Sequence, residues 1–276
     1  MIVVRRKIKW KNVILALVCL VCFVVFCVSL INIFSWKSDS NEIKKQVDNI
    51  NQTVDIIDSD NSENVEIIKP DTEVEIANPY WDYINMKLID VDFTKLKKIN
   101  NDVVGWIQVV GTNVNYPFVQ TNNNDYYLTH AFDKTYNKAG WVFMDYRNNK
   151  EDFDKNVIIY AHSRYDDTMF GSLSDTLKSK WYNDSNNHII KLSTEKENTM
   201  WQIFSIYRIP TTSDYLQIDF NDNNDYLEFL NMLKNRSERT FKTGVSFNDE
   251  IITLSTCYNE DDKLVIHAKL IKKEIK

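Results

Sequence analysis

At 276 residues, with 43% apolar and 26% charged residues, the chain has enough material for one sizeable core and a further segment outside it. The net charge is −6, and residues 1–36 carry five cations and no acid, which leaves −11 on the remainder. A body that acidic is excluded as a nucleic-acid binder, because such affinity comes mainly from Lys and Arg neutralising phosphates.

Residues 13–34 read VILALVCLVCFVVFCVSLINIF, broken only by Ser29 and Asn32. At about 1.5 Å per residue this predicts a helix of roughly 33 Å, enough to cross a hydrocarbon core of about 30 Å. A cleaved signal peptide would have a shorter apolar region and a small-x-small cleavage site, and neither is present. All five cations precede Asn12, so residues 1–12 are expected to stay cytoplasmic and the body to lie outside, anchored by one pass through the cell membrane. Cys19, Cys22 and Cys27 fall inside the apolar run, with a spacing that matches no zinc pattern, and read as small hydrophobes. That leaves Cys257 as the one thiol of the body, with no internal disulfide open to it.

Residues 35–78 are rich in Asp, Glu, Asn and Ser, and are expected to form a polar stalk. Within it, EIKKQVDNINQTVDIID has a weak helical spacing that would suit a short coil. The folded domain is expected over 79–276. Its first segment, 80–100, alternates apolar and charged residues at helical spacing, with Asp92 as an N-cap. After it come eight β runs at 103–109, 114–120, 140–145, 156–162, 188–193, 200–209, 250–256 and 263–271, with Gly, Asn and Asp between them. They predict a mainly β chain rolled into an eight-stranded barrel. Short helices are expected at 168–177 and at 222–236, the latter amphipathic and lying between the sixth and seventh strands.

Cys257 ends the run EIITLSTC, in which Ile251, Thr253, Ser255 and Cys257 share one face. The polar YNEDD that follows keeps that strand end accessible. A thiol needs a base or an ion-pair partner to react near neutral pH. Of the four histidines, His130, His188 and His267 read as structural. His162 ends the run NVIIYA much as Cys257 ends its own, so the two side chains could meet at one rim.

Thr-Leu-Ser-Thr-Cys at 253–257 and Tyr-Ala-His at 160–162 resemble the two signature motifs of sortases. DDTMFGSL at 166–173, KLVIHAKL at 263–270 and the helix between strands six and seven resemble the class B branch, and together these motifs span residues 80–271. The resemblance implies a sortase-type barrel with N-terminal helices. It also implies a Gram-positive, cell-wall-anchoring cysteine transpeptidase that cuts a Pro-x-Thr type sorting signal of secreted proteins and joins the Thr to a cell-wall precursor amine. Cys257 and His162 would be catalytic, with Tyr160, Ser255 and Thr256 contacting substrate, backbone N–H groups near the thiol helping to hold the oxyanion, and no metal or other cofactor.

In one place the chain departs from the family. Sortases carry an Arg at the start of the last strand, and here that position is Lys263, a compact charge in place of a planar fork. Alternation sets Leu264, Ile266, Ala268 and Leu270 on the core face and Lys263 opposite, with Arg164 and Arg208 as the alternative cations. Two other readings stay open. One is a cysteine endopeptidase that uses water at the same site; the other is a non-catalytic anchored binding module in which Lys263 marks decay.

Overall fold

The computed structural model describes residues 9–59, 64–70, 78–259 and 261–276. Residues 1–8 of the expected cytoplasmic tail and 60–63 and 71–77 of the expected stalk lie outside them. Helix α1 (Trp10–Thr53) contains no Gly or Pro to break it and runs for 44 residues. Its apolar stretch is exposed around the whole circumference, and the helix is long and apolar enough to cross a membrane.

The chain from Ile43 to Lys276 forms a unit of its own. Ile43 and Ile50 are buried in its main core and Val47 packs against it, since the spacing 43, 47, 50 puts all three on one helical face. Val54 is buried next to them. Strand β1 (Ile56–Ser59) then pairs with β3 (Leu88–Val91), and β2 (Val65–Ile67) pairs with β11 (Asp262–Ile275). Residues 43–59 and 64–70, expected as part of a polar stalk, therefore contain helix and strand bound to the body. Their isolated Ile and Val residues are what bind them.

The expected N-terminal helices form at the two ends of 80–100, but a strand takes the middle of the helical pattern. The segment divides into α2 (Tyr80–Tyr83), β3 and α3 (Thr94–Ile99), because Leu88, Ile89 and Val91 are buried where β3 pairs with β1. The N-cap of α3 is Phe93 rather than Asp92, whose Oδ1 accepts the Thr94 N–H at 2.9 Å one residue ahead of the cap.

Seven further strands, β4 (Val103–Val109), β5 (Asn115–Val119), β6 (Phe143–Met144), β7 (Asn156–Tyr160), β8 (Ile189–Thr194), β9 (Glu197–Pro210) and β10 (Ile251–Cys257), complete the sheet with β11. The order is β10-β7-β6-β5-β4-β8-β9-β11, and β11 pairs back onto β10, so eight strands close into a barrel. Closure removes the free edges that an open sheet would expose. Ile107, Phe118, Ile159, Ile252, Leu254, Leu264 and Ile266 fill the interior. On the outer face of β9–β11, Ile251 and Val265 pack with Phe229, Leu230 and Leu233 of α5 (Asn223–Asn235). Asp222 caps α5 by accepting the backbone N–H groups of Asn224 and Asp225 at 2.8 and 2.9 Å. The helix expected at 168–177 is a 3-10 turn over Gly171–Leu177, followed by the short α4 (Ser179–Tyr182).

Candidate active site

β10 and β7 run parallel in the register Ser255↔Tyr160, and the Thr256 hydroxyl donates to the Ala161 carbonyl at 2.8 Å. Carrying that register forward sets Cys257 level with His162. On its other side β10 pairs with β11 in the register Cys257↔Lys263. Three strand ends thus bring the three candidate catalytic residues to one rim of the barrel. They line a groove of about 760 Å³ together with Tyr160, Ser255 and Thr256.

Cys257 is exposed at the strand end. The Lys263 Nζ donates to its Sγ at 3.1 Å. The His162 Nε2 is 2.8 Å from the Leu128 carbonyl. A carbonyl only accepts, so Nε2 carries the hydrogen and Nδ1 is the nitrogen left for proton exchange. Gly140, at φ +61, lets the chain pass close by: a Cβ there would lie 2.4 Å from the Tyr127 carbonyl oxygen and 3.1 Å from the His162 ring.

The alternative cations are committed elsewhere. Arg208 forks onto Glu238 through Nε at 2.9 Å and Nη2 at 2.7 Å, and stacks over the Tyr258 ring. Arg164 is buried beside Asp166 at 3.5 Å. Among the described residues lining the groove, Lys263 is the single Lys or Arg. The Tyr258 backbone N–H, which follows the nucleophile in sequence, donates to the Asp262 carbonyl at 2.8 Å. Of the donors expected around an oxyanion, the Lys263 ammonium is thus the one in contact with the sulfur.

The other histidines are held by structural contacts. His267 is fully buried, with Nε2 at 2.9 Å from the Tyr207 hydroxyl and Nδ1 at 2.9 Å from the Thr253 hydroxyl. Burial, reinforced by the Arg236 charge, pushes its pKa down to about 3. His188 is partly buried against the Tyr182 carbonyl, and burial lowers its pKa too. His130 stacks on Tyr126 with ring centroids 4.0 Å apart.

Sequence reading did not identify the wall opposite β7, formed by Thr211, Thr212, Ser213, Tyr215 and Leu216. Nor did it identify what holds that wall. Asp145, fully buried at the end of β6, accepts from the Tyr160 hydroxyl at 2.9 Å, from Asn124 Nδ2 at 3.1 Å and from Arg147 Nε at 2.9 Å. Arg147 in turn donates to the Leu216 carbonyl at 3.0 Å, and the Tyr215 and Ser255 hydroxyls are 3.0 Å apart. Burial alone would push the Asp145 carboxyl up, but the hydrogen bonds from Arg147 and Tyr160 outweigh it and hold the group below its ordinary range. Tyr160 is pushed upward by burial and by the Asp145 charge. An acidic residue amid MDYRN, after a β run, was the signal in the sequence, but not its partners.

This arrangement matches known proteins. The sortase domain model matches residues 107–271. Sortase B of Staphylococcus aureus (strain NCTC 8325 / PS 47) is 39% identical over 184 residues, covering 65% of this chain and 75% of the relative. A sortase B solved in complex with triglycine superposes with a TM-score of 0.62 at 37% identity, over 65% of this chain and 85% of that one. The Staphylococcus aureus sortase B–substrate complex gives a TM-score of 0.61 at 38% identity, over 65% and 84%. With a closed eight-stranded barrel, the helix between its sixth and seventh strands and a family match over more than half its length, the chain belongs to the sortase family, in its class B branch.

Proposed function

We propose that this protein is a membrane-anchored cysteine transpeptidase that cleaves a Pro-x-Thr type sorting motif of secreted proteins and passes the acyl group to a cell-wall amine. The observation that carries this reading is the Lys263 Nζ–Cys257 Sγ contact of 3.1 Å in a groove that also holds His162. In the proposed reaction the Cys257 thiolate attacks the Thr carbonyl carbon, and the Lys263 ammonium stabilises the developing oxyanion. His162 gives a proton to the departing amine as the C–N bond breaks, leaving a thioester. The acceptor amine then attacks the thioester carbon, loses its proton to His162 and expels the thiolate. Tyr160, Ser255 and Thr256 line the groove where the motif would lie. Relatives solved with a substrate and with triglycine support a peptide donor and an acceptor with a free amine.

The α1 apolar stretch would anchor the chain, and the five cations before it favour a cytoplasmic N-terminus and an extracellular domain. Cys257 is exposed, so water can also reach the thioester, and hydrolysis is the competing outcome. Mass spectrometry of the full chain in detergent, incubated with an Asn-Pro-x-Thr peptide library with and without an amine acceptor, tests both. Transfer requires a product carrying the acceptor. Cleavage that never incorporates the amine would make the protein an endopeptidase, and no cleavage with an unreactive Cys257 would leave a binding module.

A further inference from the structure

A lysine at this position is a nucleophile as well as a cation. Its Nζ sits 3.1 Å from the sulfur that, in the reading proposed above, carries the acyl group. A thioester carbonyl carbon is bonded directly to that sulfur, so a primary amine is held within reach of it. We propose that Lys263 is a self-acylation site: when no external acceptor arrives, the acyl group moves from Cys257 Sγ to Lys263 Nζ. This inference rests on thioester formation at Cys257.

The atoms balance without a further reagent. The Lys263 ammonium first gives one proton to water; the resulting neutral Nζ attacks the thioester carbon, a C–N bond forms, the C–S bond breaks, and Cys257 leaves as thiolate. The second proton lost from nitrogen passes to His162 or to water. The product is an amide in place of a thioester. Proximity makes the step competitive. Well-oriented intramolecular nucleophiles reach effective molarities of about 10⁵–10⁸ M, so an amine held beside the thioester can match a dilute external acceptor. The antiparallel register Cys257↔Lys263 makes the two residues cross-strand neighbours. The modification would also remove the charge that contacts the sulfur, so each event would silence one molecule. A chain starved of acceptor would lose activity in proportion to the acyl groups it has loaded.

The test loads the thiol without relying on cleavage. The full chain in detergent is incubated with acetyl-Asn-Pro-Ala-Thr benzyl thioester, which acylates a reactive cysteine by thioester exchange. It is then treated with hydroxylamine, which cleaves thioesters and spares amides, and the adducts are mapped by mass spectrometry. The expected result is a hydroxylamine-resistant acyl group on Lys263 that is absent from Cys257→Ala and reduced when a triglycine acceptor is added. A labile adduct on Cys257 with no amide on Lys263 would overturn the self-acylation while leaving the thioester chemistry intact. An amide on Lys263 that persists in Cys257→Ala would also overturn it, as direct acylation by the reagent. A thiol that takes up no acyl group would remove both this inference and the proposed function.

Discussion

At the scale of single residues, the chemistry depends on the ends of three strands. Cys257→Ala should abolish cleavage and transfer without loss of fold, because an exposed thiol replaced by a methyl leaves no interior cavity. His162→Ala should lose most turnover, since neither the departing nor the entering amine can then exchange its proton. Peptide-cleavage kinetics with circular dichroism as a fold control check both. Lys263→Ala should cost roughly 100- to 1,000-fold in kcat, the usual loss for one oxyanion donor, whereas Lys263→Arg should keep or raise it. Arg208→Ala should stay within a few-fold of wild type, because that guanidinium is already forked onto Glu238. An unimpaired Lys263→Ala beside a crippled Arg208→Ala would move the role. The sequence made these residues legible because each ends or begins an apolar run, where period-2 alternation fixes the face. The Lys263–Cys257 contact was not legible, since it depends on a cross-strand register that alternation along one strand does not specify.

Between elements, buried polar networks hold the strands and loops that shape the groove. Asp145 joins β6 to β7 through Tyr160, to the Asn124 loop, and through Arg147 to the 211–216 wall. Asp145→Ala should therefore raise KM several-fold more than it lowers kcat, as the wall loses its tether while Cys257 keeps its own strand. Steady-state kinetics on a sorting-motif peptide would decide, and a pure kcat loss would refute the tether. His267 bridges β9, β10 and β11 and is neutral in the fold, with its pKa near 3 against an ordinary 6.5. The unfolded chain thus binds more protons between those values, and stability should fall as pH drops through that window. Thermal melts from pH 7.5 to 4.5 should slope downward, and His267→Gln should flatten part of the slope. Strand patterns recovered all eight barrel strands because successive residues turn to opposite faces: Ile252, Leu254, Leu264 and Ile266 face the interior, and Ile251 and Val265 face α5. The reading over 80–100 missed only the strand between its two helices, where the apolar residues of LIDV fit a helix or a strand equally well. Only the presence of β1 as a pairing partner selects the strand.

For the whole molecule, the boundary of the folded unit is the point on which the sequence and the structure part most. A stalk ending near residue 78 would make residues 79–276 a complete domain. Instead Ile43, Ile50 and Val54 are buried, the Ser59 hydroxyl donates to the buried Glu274 carboxylate at 2.7 Å, and β2 extends the sheet along β11 beyond the end of β10. The stripe Ile43, Val47, Ile50, Val54 was visible as a weak helical period, but its polar surroundings gave no sign of a surface to receive it. Burying an aliphatic side chain contributes about 1.5–3 kcal/mol, so losing three costs roughly 5–9 kcal/mol as an upper estimate. In a domain of this size each kcal/mol shifts Tm by about 2–4 °C. Two truncations separate the alternatives. Residues 37–276, which lack the apolar run, should be soluble, folded and active, while residues 79–276 should melt more than about 10 °C lower or fail to fold. Equal melting temperatures would mean that 43–70 adds nothing to the barrel, and an insoluble 37–276 would mean that the apolar run belongs to the fold rather than to a membrane.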